Sequence, residues 1–182
     1  MVPLNIMVVV LWGIFGLVGI ARRFPKELGA TIGFIAMMLL LSLLGNRVGN
    51  VAYRAASAGG ADVSESLVKW FVYTGIITLW VMFMYAGETL VFPGAWPPGR
   101  LTGLIIDGII GLLNGWLVVG TWLYFTAQLG YPIQQLGWVV PPINAQTQKL
   151  VSLTPLAVIP AGQATIILGL ILVVLIALRV FR

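Results

Sequence analysis

The sequence contains no histidine and no cysteine. Those two absences exclude histidine-ligated haem or chlorophyll, thiolate metal sites, disulfides, Ser-His or Cys-His catalysis and histidine proton relays. Charge is scarce as well: only 8% of the 182 residues are Asp, Glu, Lys or Arg, while 60% are hydrophobic. A soluble domain carries roughly three times as much charge. Phosphate-cradling signatures are missing too. No GxxxxGK[ST] occurs, and the glycines fall in apolar stretches rather than at strand-to-helix turns. A membrane protease needs a serine with a base or paired aspartates. Ser42 has no such partner nearby in sequence, and Asp107 is the only Asp inside an apolar run. The reading is therefore non-enzymatic, with no cofactor.

What the sequence does have is apolar length. Its mean hydropathy is +1.05, so most of its surface is expected to meet lipid, and the chain reads as one all-α membrane domain over residues 1–182. Five apolar runs give expected spans at 2–20, 28–45, 67–92, 101–129 and 164–181. The first lacks a positive n-region and a small-x-small cleavage site, so it reads as a retained helix rather than a leader. Pro25 and Glu27 suit the start of the second helix, with residues 46–56 able to prolong it. Asp62 and Glu65 form a capping-box-like pair before the third. Residues 93–99, with Pro93, Pro97 and Pro98, read as a tight helix-free connection. The segment 130–163 carries five prolines and one charge, Lys149. It is expected to lie in the outer interface, with a short helix within Ile143 to Leu153.

Ten Lys/Arg against five Asp/Glu mark topology here rather than nucleic acid, because they flank the apolar runs. With the N-terminus outside, Arg22, Arg23, Lys26, Arg100, Arg179 and Arg182 fall on the inner side. Arg47, Arg54, Lys69 and Lys149 fall on the outer side. The density of the first loop decides for N-terminus outside and C-terminus inside. Tryptophans 12, 70, 96, 122 and 138 lie near expected helix ends, as interfacial anchors do.

Inside the fourth run, Gly103, Asp107, Gly111 and Gly115 recur every four residues on one face, where small residues let a neighbouring backbone approach. Gly13, Gly16 and Gly19 of the first run and Gly29 and Gly33 of the second offer matching surfaces. Asn114, near the middle of the fourth run, is expected to hydrogen-bond across helices. Asp107 is expected to be held by an inner-side charge network of Arg22, Arg23, Lys26, Glu88 and Arg100.

Gly19-Ile-Ala-Arg22-Arg23 followed by Glu27 and Gly33 resembles the helix, basic loop and helix that open members of the colicin V production (CvpA) family. Arg100-Leu-Thr-Gly103 followed by Gly111-Leu-Leu-Asn-Gly115 is similar to that family's glycine-rich fourth helix. The resemblance covers roughly residues 1–128. Where the family usually has an acidic residue early in the first helix this chain has Asn5, and a glycine usual after the basic residue is replaced by Arg23. The fifth run lies beyond the usual four-helix pattern. The resemblance implies a non-catalytic protein of the bacterial inner (cytoplasmic) membrane with a structural or accessory role in envelope homeostasis or export. Expected partners are the lipid bilayer, other membrane-protein subunits or a second copy of the chain, and no nucleic acid. The competing class is an accessory subunit of a larger energy-transducing or photosynthetic complex. A small-solute channel or transporter fits less well, with no inverted repeat and few polar residues to line a path.

Overall fold

Four helices are long and apolar enough to cross a membrane. In this computed structural model residues 2–60, 62–86, 100–139, 143–160 and 162–180 are described, with only the backbone of Arg100. The helices are α1 (Leu4–Arg22), α2 (Phe24–Ala58), α3 (Glu65–Ala86) and α4 (Arg100–Gln128). The fifth run forms α7 (Ala164–Val180), apolar but only 17 residues long. It reaches about 25 Å, short of a hydrocarbon core of about 30 Å. Among the described residues the fold is an all-helical bundle with four full-length candidate spans and one shorter apolar helix.

One residue separates α1 from α2. Arg23 takes φ 68° and ψ 156°, a region that glycine enters freely and other residues rarely do. Its N–H still donates to the Gly19 carbonyl at 2.9 Å, and its own carbonyl accepts from the Glu27 N–H at 3.2 Å. Arg23 thus closes one helix and opens the next, and Pro25 sits in the first turn where a missing donor costs nothing.

α2 runs 35 residues, past the apolar run that ends at 45 and through the 46–56 stretch expected to be able to prolong it, because nothing between Asn46 and Ala58 breaks it. Gly59 and Gly60 stop it, Gly60 with φ 79°. α3 begins at Glu65, two residues before the expected Leu67. That shift moves the cap from Asp62 to Ser64, whose hydroxyl accepts the Leu67 N–H at 3.3 Å. Glu65 pairs with Lys69 one turn on, at 2.6 Å. The end of the third expected span, Glu88, Trp96 and the proline-rich connection lie outside the described residues.

α1 packs antiparallel on α4, and α2 lies against α3, α4 and α7. The central core joins Phe34, Met37 and Met38 of α2 to Tyr73, Ile77 and Met84 of α3, Leu117 and Phe125 of α4, and Leu168 of α7. The outward faces are apolar: Leu17, Leu79 and Val173 are all more than 60% exposed. In lipid such faces need no cover, so the helices are held by close packing and interhelical hydrogen bonds.

Tryptophans supply many of those bonds. Trp12 donates to the Leu112 carbonyl at 2.6 Å, Trp80 to Gly33 at 2.9 Å, Trp70 to the Thr126 hydroxyl at 2.9 Å and Trp122 to Thr74 at 3.1 Å. Trp70 is only 3% exposed, so it is a helix-to-helix fastener and not the interfacial anchor expected from its position near a helix end.

Between α4 and α7 the chain makes a 3-10 turn (Pro132–Gln134), α5 (Ala145–Ser152) and α6 (Pro155–Val158). α5 lies inside the window expected for a short helix, and Asn144 caps it through the Thr147 N–H at 2.8 Å. Asn144 also donates to Asn5 at 3.1 Å, and Asn5 donates to Gln146 at 2.9 Å. The start of α5 is therefore tied to the start of α1. Its far end is not. The Leu153 carbonyl accepts the Trp116 indole N–H at 2.8 Å, and Pro155 packs onto Gly120, where a Cβ would meet its Cδ at 2.6 Å. Trp116 lies twelve residues, about 18 Å, before the end of α4. Residues 145–156 thus descend along the bundle rather than lying flat across its end. Non-helical backbone is tolerated at such depth only when buried on protein with its polar groups bonded. Gly120 supplies the notch and Trp116 the bond.

Candidate functional site

The seam between α1 and α4 is set by glycines. A Cβ on Gly19 would meet the Asp107 carbonyl at 2.5 Å and the Gly111 Cα at 2.6 Å. A Cβ on Gly111 would run into the Phe15 carbonyl, and on Gly115 it would meet Trp12 and Phe15 at 2.7 and 2.8 Å. Gly103, first in the stripe, is half-buried near the start of α4. The two backbones therefore approach more closely than any larger residue allows. The approach carries the Arg22 end of α1, and with it the first turn of α2, against the middle of α4.

That places Glu27 at the centre of a polar cluster. Its side chain is fully buried. The Arg22 guanidinium reaches Oε1 at 3.2 Å, and Oε2 accepts from Asn114 Nδ2 at 2.8 Å and from the Tyr85 hydroxyl at 3.3 Å. Asn114, also fully buried, donates in addition to the Glu27 carbonyl at 3.0 Å, and its Oδ1 accepts from Thr31 at 2.7 Å. The Thr31 hydroxyl also faces the Glu27 carbonyl at 3.0 Å. Arg22 lies over the Tyr85 ring, 4.3 Å from its centroid, a cation–π contact. It also reaches the Met84 carbonyl at 3.4 Å. Phe15, Phe34 and Tyr85 close the apolar side, with centroid separations of 5.7–6.4 Å.

One cluster therefore joins all four long helices: Arg22 from α1, Glu27 and Thr31 from α2, Tyr85 from α3 and Asn114 from α4. Burying a carboxylate and a guanidinium is tolerable only when they are paired and their remaining valences are filled. Here they are. No buried side-chain polar atom lacks a partner among the described residues.

Asp107 lies beside this cluster but is bonded differently from the basic-network expectation. Its Oδ1 accepts the backbone N–H of Phe24 at 2.6 Å, one of the first-turn donors that α2 cannot satisfy itself. A carboxylate there also faces the positive end of the helix dipole. Asp107 thus caps α2 from a neighbouring helix. Of the other expected network members, Arg23 is exposed, Lys26 is half-buried, the Arg100 side chain and Glu88 lie outside the described residues, and Arg22 belongs to Glu27.

From sequence Glu27 stands only as a first-turn residue of α2 and a member of the motif that carries the family resemblance. Two signals point further: it is the sole acidic residue before Asp62, and it closes the basic loop, directly after Lys26 and five residues after Arg22. Among the described residues no group of three or more acidic, histidine or cysteine side chains is arranged to hold a metal. No known protein family, curated protein or solved structure matches the chain.

Proposed function

We propose that this chain is a CvpA-like, non-catalytic protein of the bacterial inner membrane, with a structural or accessory role in envelope homeostasis or export. The observation that carries this reading is where the residues of the resemblance meet. Gly19 faces Gly111 across one seam, Arg22 pairs with Glu27, and Arg23 adopts a glycine-favoured backbone at the position where the family usually has glycine. Motif residues far apart in sequence thus form one structural unit. The same cluster speaks against transport. A carboxylate with both oxygens engaged by protein donors is suited to fasten helices, and the acid beside it, Asp107, is spent on the Phe24 N–H.

The role is exercised through helix surfaces, toward lipid, a second copy or other membrane subunits. The accessory-subunit reading rests on α7, where Leu168 is its one buried residue. Purified protein in liposomes should carry no proton or ion flux, and mild extraction should give a small homo-oligomer. A flux that Glu27→Gln abolishes without changing the melting temperature would end the non-catalytic reading. A stoichiometric large complex would replace it with the accessory-subunit one.

Orientation is part of the proposal, with the N-terminus outside and Arg22, Arg23 and Arg179 inside. Cysteines placed at Arg23 and Arg54 should label from opposite faces, Arg54→Cys from outside. Both are exposed and sit near opposite ends of α2. Labelling of both from one face would remove α2 as a span.

A further inference from the structure

We propose that the groove between α2 and α3 is a phospholipid site in the outer leaflet, with an acyl chain along α2 and the phosphate at Arg47. The groove has a volume of about 140 Å³ and is lined by Met37, Leu41, Leu44 and Val48 of α2 with Ile76 and Trp80 of α3. The lining carries no free polar group: the Trp80 indole N–H is already given to the Gly33 carbonyl. Leu40, Leu44 and Val48 stand 42–44% exposed along its rim, so neither α7 nor the descending segment covers it.

Three observations select a phospholipid over another helix. First, the face changes character along its length. At 100° per residue, Leu40, Leu44, Arg47, Val51 and Arg54 fall on one side of α2, so an apolar stripe runs into two arginines. Second, those arginines are available. Both are exposed, and neither has an acidic partner among the described residues, while the acid on the neighbouring helix end, Glu65, is taken by Lys69. A phosphate is the charge complement, and Arg binds it in a fixed fork. Third, the depths agree. Arg47 is twenty-three residues from the start of α2, about 34 Å, just beyond a hydrocarbon core of about 30 Å. From Arg47 down to Met37 is about 15 Å, the apolar depth of one leaflet.

The test is native mass spectrometry of the full chain, delipidated and then titrated with phosphatidylglycerol or with diacylglycerol of the same chains. Wild type should retain one phosphatidylglycerol per chain and little diacylglycerol. Arg47→Gln should cut retention about ten-fold, the loss of one charge-assisted contact. Leu44→Trp, which fills the groove from an exposed rim position, should cut it similarly with an unchanged melting temperature. Arg179→Gln, in the last turn of α7 and on the opposite, inner end by the proposed orientation, should leave it alone. Equal retention in wild type and Arg47→Gln overturns the site, as does an equal loss in Arg179→Gln. Cross-linking of Leu44→Cys to a second copy or another polypeptide in native membranes would give the groove to a protein instead.

Discussion

Glu27→Leu should lower stability by about 3–5 kcal/mol, the largest effect of any single side chain in the polar cluster. The carboxylate is fully buried, so its removal leaves the Arg22 guanidinium without its anion and takes away the Oε2 acceptor that Asn114 and Tyr85 share. Breaking such a pair on one side leaves the other charge uncompensated, and Arg22, 19% exposed, keeps the Met84 carbonyl and the Tyr85 ring but no anion. Glu27→Gln should fall between, at about 1.5–3 kcal/mol. Its remaining oxygen can serve Asn114, but its amide turns donors toward a guanidinium that also only donates. The double variant Arg22→Leu, Glu27→Leu should recover much of the loss, since it deletes the orphaned charge as well. Asp107→Asn should cost less than about 1 kcal/mol, because the amide oxygen can still accept the Phe24 N–H. Thermal unfolding in one detergent ranks the set. A Glu27→Leu protein that melts with wild type would show that the cluster does not hold the helices together.

The helices were legible in the sequence wherever apolar length was the only requirement. α1 and α4 begin or end within a few residues of their expected limits because charge and proline bound them sharply. The far end of α2 could be read only as an option to prolong the helix through 46–56, since Asn46 to Ala58 is polar enough to leave hydrocarbon yet contains nothing that stops a helix, and hydropathy reports solvent rather than conformation. The descent of residues 145–156 was hidden for a related reason. It depends on Gly120 leaving a notch on a distant helix and on Trp116 finding the Leu153 carbonyl, neither of which is encoded locally. At the site, the glycine spacing in α4 and the lone central Asn114 could be read because helical periodicity places them on defined faces. Their partners could not. Arg22 had five acidic residues to choose among, and the choice of Glu27 over Asp107 follows from the turn at Arg23, which folds the first turn of α2 back beneath the end of α1.

The seam of α1 and α4 that presents this turn to α4 is packed backbone against backbone, so Gly111→Ala is expected to cost about 1–3 kcal/mol although it adds a single methyl. The methyl would strike the Phe15 carbonyl and the Gly19 Cα. Both are backbone, and neither can rotate away. Relief therefore requires the two helices to separate, which also weakens the Trp12 bond to the Leu112 carbonyl on the same seam. Gly19→Ala should behave alike, because each glycine faces the backbone of the other. The pair should cost less than the sum of the singles, since one separation relieves both clashes. Gly115→Ala should also be costly: its new methyl meets the Phe15 Cβ at 2.8 Å and the Trp12 carbonyl at 3.1 Å, both fixed by the backbone, and only the Trp12 ring edge at 2.7 Å could turn aside. Gly75→Ala on α3 supplies the control. Nothing lies within 4 Å of its would-be Cβ, and alanine is the better helix former by up to about 1 kcal/mol, so this variant should melt at or above wild type. Gly75→Ala above both Gly115→Ala and Gly111→Ala is the order that backbone-fixed contact dictates. If Gly111→Ala and Gly75→Ala instead melt together, α1 and α4 are not in contact at their glycines, and the route by which Arg22 is carried to Glu27 fails with them.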